Sequence, residues 1–96
     1  MPRYIALVSF SDQGVRNVKH SLKRAERLQK LAAKHKVKIL DTYWTMGRYD
    51  IVVHFDAPSD EAMTAFTLDN AQQGNVRTET CRAFTREEFG KILKAI

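Results

Sequence analysis

This chain has a single cysteine, Cys81, among 96 residues. One cysteine excludes an internal disulfide and a multi-cysteine metal site. No apolar run approaches the roughly 20 residues that cross a bilayer as a helix. The first residues, Met1-Pro2-Arg3-Tyr4-Ile5, lack the long apolar region and small-residue cleavage site of a secretory leader. A cytoplasmic location is the expectation these absences leave. No linker, low-complexity tract or close repeat interrupts the chain, so residues 1–96 read as one domain with one modest core. Acidic residues are scarce in one stretch only. Residues 16–36 hold eight lysines and arginines against Glu26 alone, a net +7; the remainder carries eight basic and ten acidic residues, or −2. The total of +5 therefore belongs to one segment. That segment lacks interleaved aromatics and Gly-rich turns, and the chain has no nucleic-acid reader motif. A solvated lysine-rich face is the expected reading, with neither nucleic acid nor a membrane as partner.

What is present is the composition of an ordinary globular domain, 44% hydrophobic and 28% charged. Residues 3–10 form a β-rich run with apolar residues on both alternating sets, as in a central strand. Asp12-Gln13-Gly14 starts a turn. Val15, Val18, Leu22, Ala25, Leu28, Leu31 and Ala32 then recur at steps of three and four, the stripe of one amphipathic helix with a kink near His20-Ser21. Over residues 37–46, Val37, Ile39, Asp41 and Tyr43 alternate with Lys38, Leu40, Thr42 and Trp44. Gly47-Arg48 predicts a tight hairpin turn, where glycine tolerates positive φ. The partner strand, 49–56, puts Tyr49, Ile51, Val53 and Phe55 on one face and Asp50, Val52, His54 and Asp56 on the other. Ser59 is placed to cap a second helix carrying Met63, Phe66 and Leu68, which Gly74 stops. A last strand spans 76–84, and Thr85-Arg86-Glu87-Glu88 fits a capping box before a helix striped with Phe89, Ile92, Leu93 and Ile96.

The order is βαββαβ plus a C-terminal helix. Two such halves pack as an α+β, ferredoxin-like sandwich, a four-stranded antiparallel sheet with two helices on one face. The other face would carry aromatics and β-branched residues beside Asp50 and His54, too apolar for plain solvent surface. A two-fold dimer with facing sheets is the simplest way to cover it.

Several segments resemble the GYD-domain family: Ser11-Asp12-Gln13-Gly14, Thr45-Met46-Gly47-Arg48-Tyr49-Asp50, Ala57-Pro58, Gly74-Asn75-Val76-Arg77-Thr78-Glu79-Thr80, Arg82-Ala83-Phe84-Thr85 and Glu88-Phe89. Their order and spacing cover nearly the whole chain. The resemblance implies a dimeric α/β barrel, in which two ferredoxin-like sheets close a barrel between subunits. It implies no particular activity. A more distant likeness is to the ligand-binding domain of Lrp/AsnC-type regulators, which have a Gly-x-Tyr-Asp hairpin and a Gly-Val-x-x-Thr entry to the last strand. Those domains bind amino acids at subunit junctions. With no room here for a helix-turn-helix, the likeness implies a sensing or oligomerising module.

The candidate site residues are Tyr4, Trp44, Tyr49, Asp50 and His54, lining a cavity between or beside the facing sheets. Asp50 would accept from a ligand amine or hydroxyl; its bland alternative is to cap backbone N–H groups near the hairpin or to pair with Arg48 or Arg77. His54 could act with Asp50 as acid and base, or ligate a metal or haem; lacking a ligand cluster, it reads better as a hydrogen-bonded or interface histidine. Trp44, Tyr43 and Tyr4 supply pocket walls or packing. Arg77, Glu79 and Arg82 read as salt bridges or edge contacts between subunits. Gly47 and Gly74 are structural turn residues, and Cys81 reads as a small buried hydrophobe. No cofactor and no metal are expected. Three functions stay open: a small-molecule-binding homo-oligomer, a small α/β-barrel enzyme of monooxygenase, isomerase or haem-handling type, and an assembly module without ligand.

Overall fold

The computed structural model describes residues 1–96. Its strands are β1 (Arg3–Phe10), β2 (Lys38–Trp44), β3 (Ile51–Asp56) and β4 (Val76–Ala83). Its helices are α1 (Asp12–Arg16), α2 (Ser21–Lys34), α3 (Asp60–Ala71) and α4 (Arg86–Leu93), with a 3-10 turn at Val18–His20. The strands form one antiparallel sheet in the order β2-β3-β1-β4, with α2 and α3 on one face. This is the α+β, ferredoxin-like βαββαβ sandwich followed by a C-terminal helix.

Local chemistry sets several boundaries. Ser59 Oγ accepts from Ala62 N–H at 3.1 Å and starts α3, with Asp60 and Glu61 at the positive end of the helix. Thr85 and Glu88 exchange a capping box at the start of α4. The helix striped in sequence from Val15 to Ala32 is not one helix. It breaks at Asn17, and Val15, Val18 and Leu22 are exposed; the apolar positions of the stripe turn inward only from Ala25. The Met46–Tyr49 connection is wider than a two-residue turn, because Thr45 N–H donates to Asp50 O at 2.8 Å and Thr45 Oγ1 to Tyr49 O at 2.7 Å. Gly47 lies in this loop at φ 105°, a conformation that L residues seldom adopt. Gly74 follows α3 at φ 79°.

The register separates two faces. Tyr4, Ala6, Val8, Val53 and Phe55 point toward the helices and are buried with Ala32, Val37, Ala57, Met63 and Phe66. Arg3, Ile5, Leu7, Val52, His54 and Asp56 point the other way. In β2 a bulge at Leu40 shifts the alternation, so Ile39, Thr42 and Trp44 pair across from Phe55, Val53 and Ile51. Strict alternation would have grouped Ile39 with Asp41 and Tyr43. The helix-side core holds three alanines among its ten residues, and no large side chain is sealed completely. No helix is long and apolar enough to cross a membrane.

Candidate functional site

Much of the signature that carries the family resemblance gathers at the end of β1 and fastens it. Ser11 N–H donates to Asn75 O at 3.0 Å, and Ser11 Oγ donates to Gly74 O at 2.5 Å. Gln13 Nε2 donates to Gln73 O at 2.9 Å and to Asn75 Oδ1 at 3.0 Å. Gly14 is buried against the Asn75 carbonyl, whose oxygen would lie 2.0 Å from an added Cβ. No side chain fits there, which is the physical reason for glycine at 14. From the other side, Phe10 N–H donates to Asp50 Oδ2 at 2.8 Å, while Asp50 N–H donates to Val8 O at 2.8 Å. Asp50 thus binds backbone at the strand end. It does not partner His54, which lies four residues along, or about 13 Å of extended chain.

His54 stands on the face away from the helices. Its Nδ1 is 3.6 Å from Asp41 Oδ2, an approach too long for a hydrogen bond. Tyr43 meets the same ring edge-on at 6.4 Å between centroids. Tyr49 reaches the same face from the loop, donating from its hydroxyl to Glu79 Oε2 at 3.1 Å. Between these polar pairs lie Ile5, Leu7 and Val52, half-buried, and Cys81, whose thiol is exposed with Sγ 3.5 Å from Ile5 O. Cys81 is therefore no buried hydrophobe. The helices cover only the opposite face, and alternation along β4 brings position 81 out.

Tyr4 and Trp44 are on the helix side and share no wall with His54. Tyr4 is 4% exposed, and its hydroxyl donates to Asp60 Oδ1. Burial, helped by that bond to a carboxylate, pushes its pKa up to about 12. Arg82 lies 5.6 Å from the Tyr4 ring centre and 4.6 Å from that of Phe84. Trp44, displaced to this side by the bulge, borders a cleft of about 240 Å³ between α2, α3 and the sheet. Elsewhere on the helix layer, His35 Nε2 and Lys34 Nζ approach Asp69 Oδ2 at 2.8 and 3.2 Å and join α2 to α3. Hydrogen bonds from His35 and then Lys34 hold the Asp69 carboxyl below its ordinary range.

The structure brings Tyr49, which strict alternation puts on the other face, to the open face that holds His54; it places Tyr4 and Trp44 on the helix side and ties Asp50 to the Phe10 N–H. Sequence reasoning missed Asp41 as the neighbour of His54, and it missed the cleft. Only the register across β2 and β3 brings Asp41 beside His54, and no sequence motif encodes it.

An antiparallel sheet in this order, with helices on one face, defines a ferredoxin-like α+β domain. The chain belongs to the GYD domain family, which matches over residues 4–93. No curated protein matches it in sequence. Among solved structures it is similar to a feast or famine regulatory protein from M. tuberculosis complexed with L-methionine: TM-score 0.67 and 14% identity, over 88% of this chain and 51% of that one. An AsnC family transcriptional regulator from Agrobacterium tumefaciens is similar at TM-score 0.58 and 14% identity, again over 88% and 51%. A Thermus thermophilus protein matches at TM-score 0.56 and 21% identity, over 88% of this chain and 95% of that one. The chain spans about half the length of the two regulators. At these identities the likeness is one of fold.

Proposed function

We propose that residues 1–96 act as one domain that self-associates through the open face of its sheet and binds a small molecule in the barrel so formed. The observation that carries this reading is the face itself. Ile5, Leu7 and Val52 form an apolar strip that no element of the chain covers, flanked by His54–Asp41 on one side and Tyr49–Glu79 on the other. An apolar floor with a few converging polar groups is the usual make-up of a small-molecule site. The last helix supports association as well. Phe89, Ile92 and Leu93 of α4 are all at least 40% exposed in the single chain. A second copy would cover both surfaces in a two-fold arrangement. The regulator holding L-methionine makes an amino acid, or a molecule with its mixture of charge and apolar side chain, the first ligand class to try.

In this reading His54 supplies a ring-nitrogen hydrogen-bonding group, Tyr49 and Glu79 supply a hydrogen-bonding pair, and Asp50 holds the loop that carries Tyr49. Native mass spectrometry of the purified protein tests it. A dimer or larger ring with a reproducible extra mass is expected. Leu7→Lys, which puts a charge at the centre of the strip, should yield a folded monomer. A wild-type monomer at tens of micromolar would overturn the reading.

A further inference from the structure

The other face of the sheet offers a second, independent site. The cleft between α2 and α3 has a floor of small and apolar side chains, among them Ala6, Val8, Ala25, Leu28 and Phe66. Its volume of about 240 Å³ exceeds the roughly 150 Å³ in which an engineered apolar cavity holds benzene. It leaves room for an aromatic ring and a short tail. Thr42, Thr78 and Thr80 add hydroxyls on the sheet side of the floor, so the apolar part is the stretch from Ala6 and Val8 to Ala25, Leu28 and Phe66. The rim is of a different chemistry. On α2 it carries Arg24 and Arg27; on α3 it carries Thr67 and Asn70, with Gln73 just beyond the helix. No aspartate or glutamate lines the cleft, so its charged groups are all cations. Arg24 is already engaged, with its guanidinium on Gly14 O, Asn17 O and Ser21 Oγ and 5.7 Å from the Phe10 ring centre. Arg27 is exposed at the mouth and aligned one turn further along the same helix.

We infer that this cleft binds a small hydrophobic carboxylate, its apolar body on the Ala6–Ala25–Phe66 floor and its carboxylate at Arg27 and the amides of Asn70 and Gln73. The chemistry selects by charge. A cationic ligand of the same shape finds arginines as its only charged neighbours and no counter-charge. A neutral one keeps the apolar contacts and loses the charge-assisted hydrogen bonds. The site does not need a second copy of the chain and does not depend on what the open face does.

Trp44 borders the cleft and is the only tryptophan in the chain, so its fluorescence reports occupancy directly. The test is a titration with three molecules of one shape: 3-phenylpropionate, its amide, and 3-phenylpropylamine. Expected is saturable quenching or a spectral shift with the acid, at one molecule per chain by calorimetry. The amide should bind about tenfold more weakly, the loss of one charge-assisted contact, and the amine should not bind. Arg27→Gln, at an exposed helical position, should bring the acid down to the amide's affinity and leave the amide unchanged. Ala25→Leu should fill the cleft and remove binding of both. Leu7→Lys, on the opposite face, should leave binding unaltered, which separates failure here from failure of the barrel reading. No saturable response to the acid up to millimolar concentration overturns the inference. So does equal affinity for all three molecules, or acid binding that Arg27→Gln leaves unaltered.

Discussion

The two faces of β1 and β3 are built from nearly the same residue types and have opposite fates. Toward the helices, Ala6, Val8, Val53 and Phe55 are buried to 5% exposure or less. Toward the open side, Ile5, Leu7 and Val52 have no covering layer. Hydrophobicity alone therefore does not say which set forms the core. The decision rests with the connections: both crossing helices leave the sheet on the same side, and the covered face is the one they reach. The open face is core-like in composition and surface-like in position, and that mismatch motivates the proposed self-association.

The sharpest way to break this comparison is to truncate one residue on each face of β3. Phe55→Ala should cost about 3–5 kcal/mol, the usual range for a buried phenylalanine. Val52→Ala should cost under about 1 kcal/mol when measured by urea unfolding at submicromolar chain concentration. Equal costs in dilute solution would mean that the open face is covered within the single chain. Alkaline pH probes the covered face next. Tyr4 is neutral when folded, and its pKa is raised from 10.0 to about 12. Its contribution is thus fully present below pH 10 and is lost as pH rises through 12. The loss is at most about 3 kcal/mol, and Tyr4→Phe should remove most of that slope in a pH series of unfolding midpoints. Asp50→Ala leaves the Phe10 N–H without its partner and should cost about 1–3 kcal/mol. Because Asp50 holds the Tyr49 loop, the same change should also weaken any ligand found on the open face. The smallest effect has the opposite sign. Lys36, after α2, sits at φ 60°, where glycine is free of strain. Lys36→Gly should stabilise by about 0.5–1 kcal/mol, read as a higher Tm.

Short-range chemistry was legible in the sequence. Ser59 and Thr85 cap helices through groups three residues away, and the run of strands and helices gave the fold class. The family signature was legible too, though its physical meaning was not, because its halves meet only in space. Ser11 and Gln13 bind positions 73–75 some sixty residues on. Facing was the weakest reading. Tyr43 and Trp44 alternate as expected, yet the bulge at Leu40 decides which of them joins His54, and nothing around Leu40 announces an extra residue. The break at Asn17 was hidden for a similar reason. The apolar stripe runs through it unbroken, and the packing of Gly14 on Asn75 fixes α1 in a direction the stripe does not encode.

The latch at Gly14 and Asn75 also orders events in time. β1 is an inner strand, but every residue from Arg3 to Phe10 pairs with β4, so an early segment waits for residues 76–83. Contacts this far apart in the chain fold slowly, because a long loop must close first. During synthesis, a chain lacking β4 has an unpaired β1 edge beside Ile5 and Leu7, a template for joining other chains. Closing the latch ends that exposure, so the rate at which it closes sets how long each new molecule is prone to aggregate.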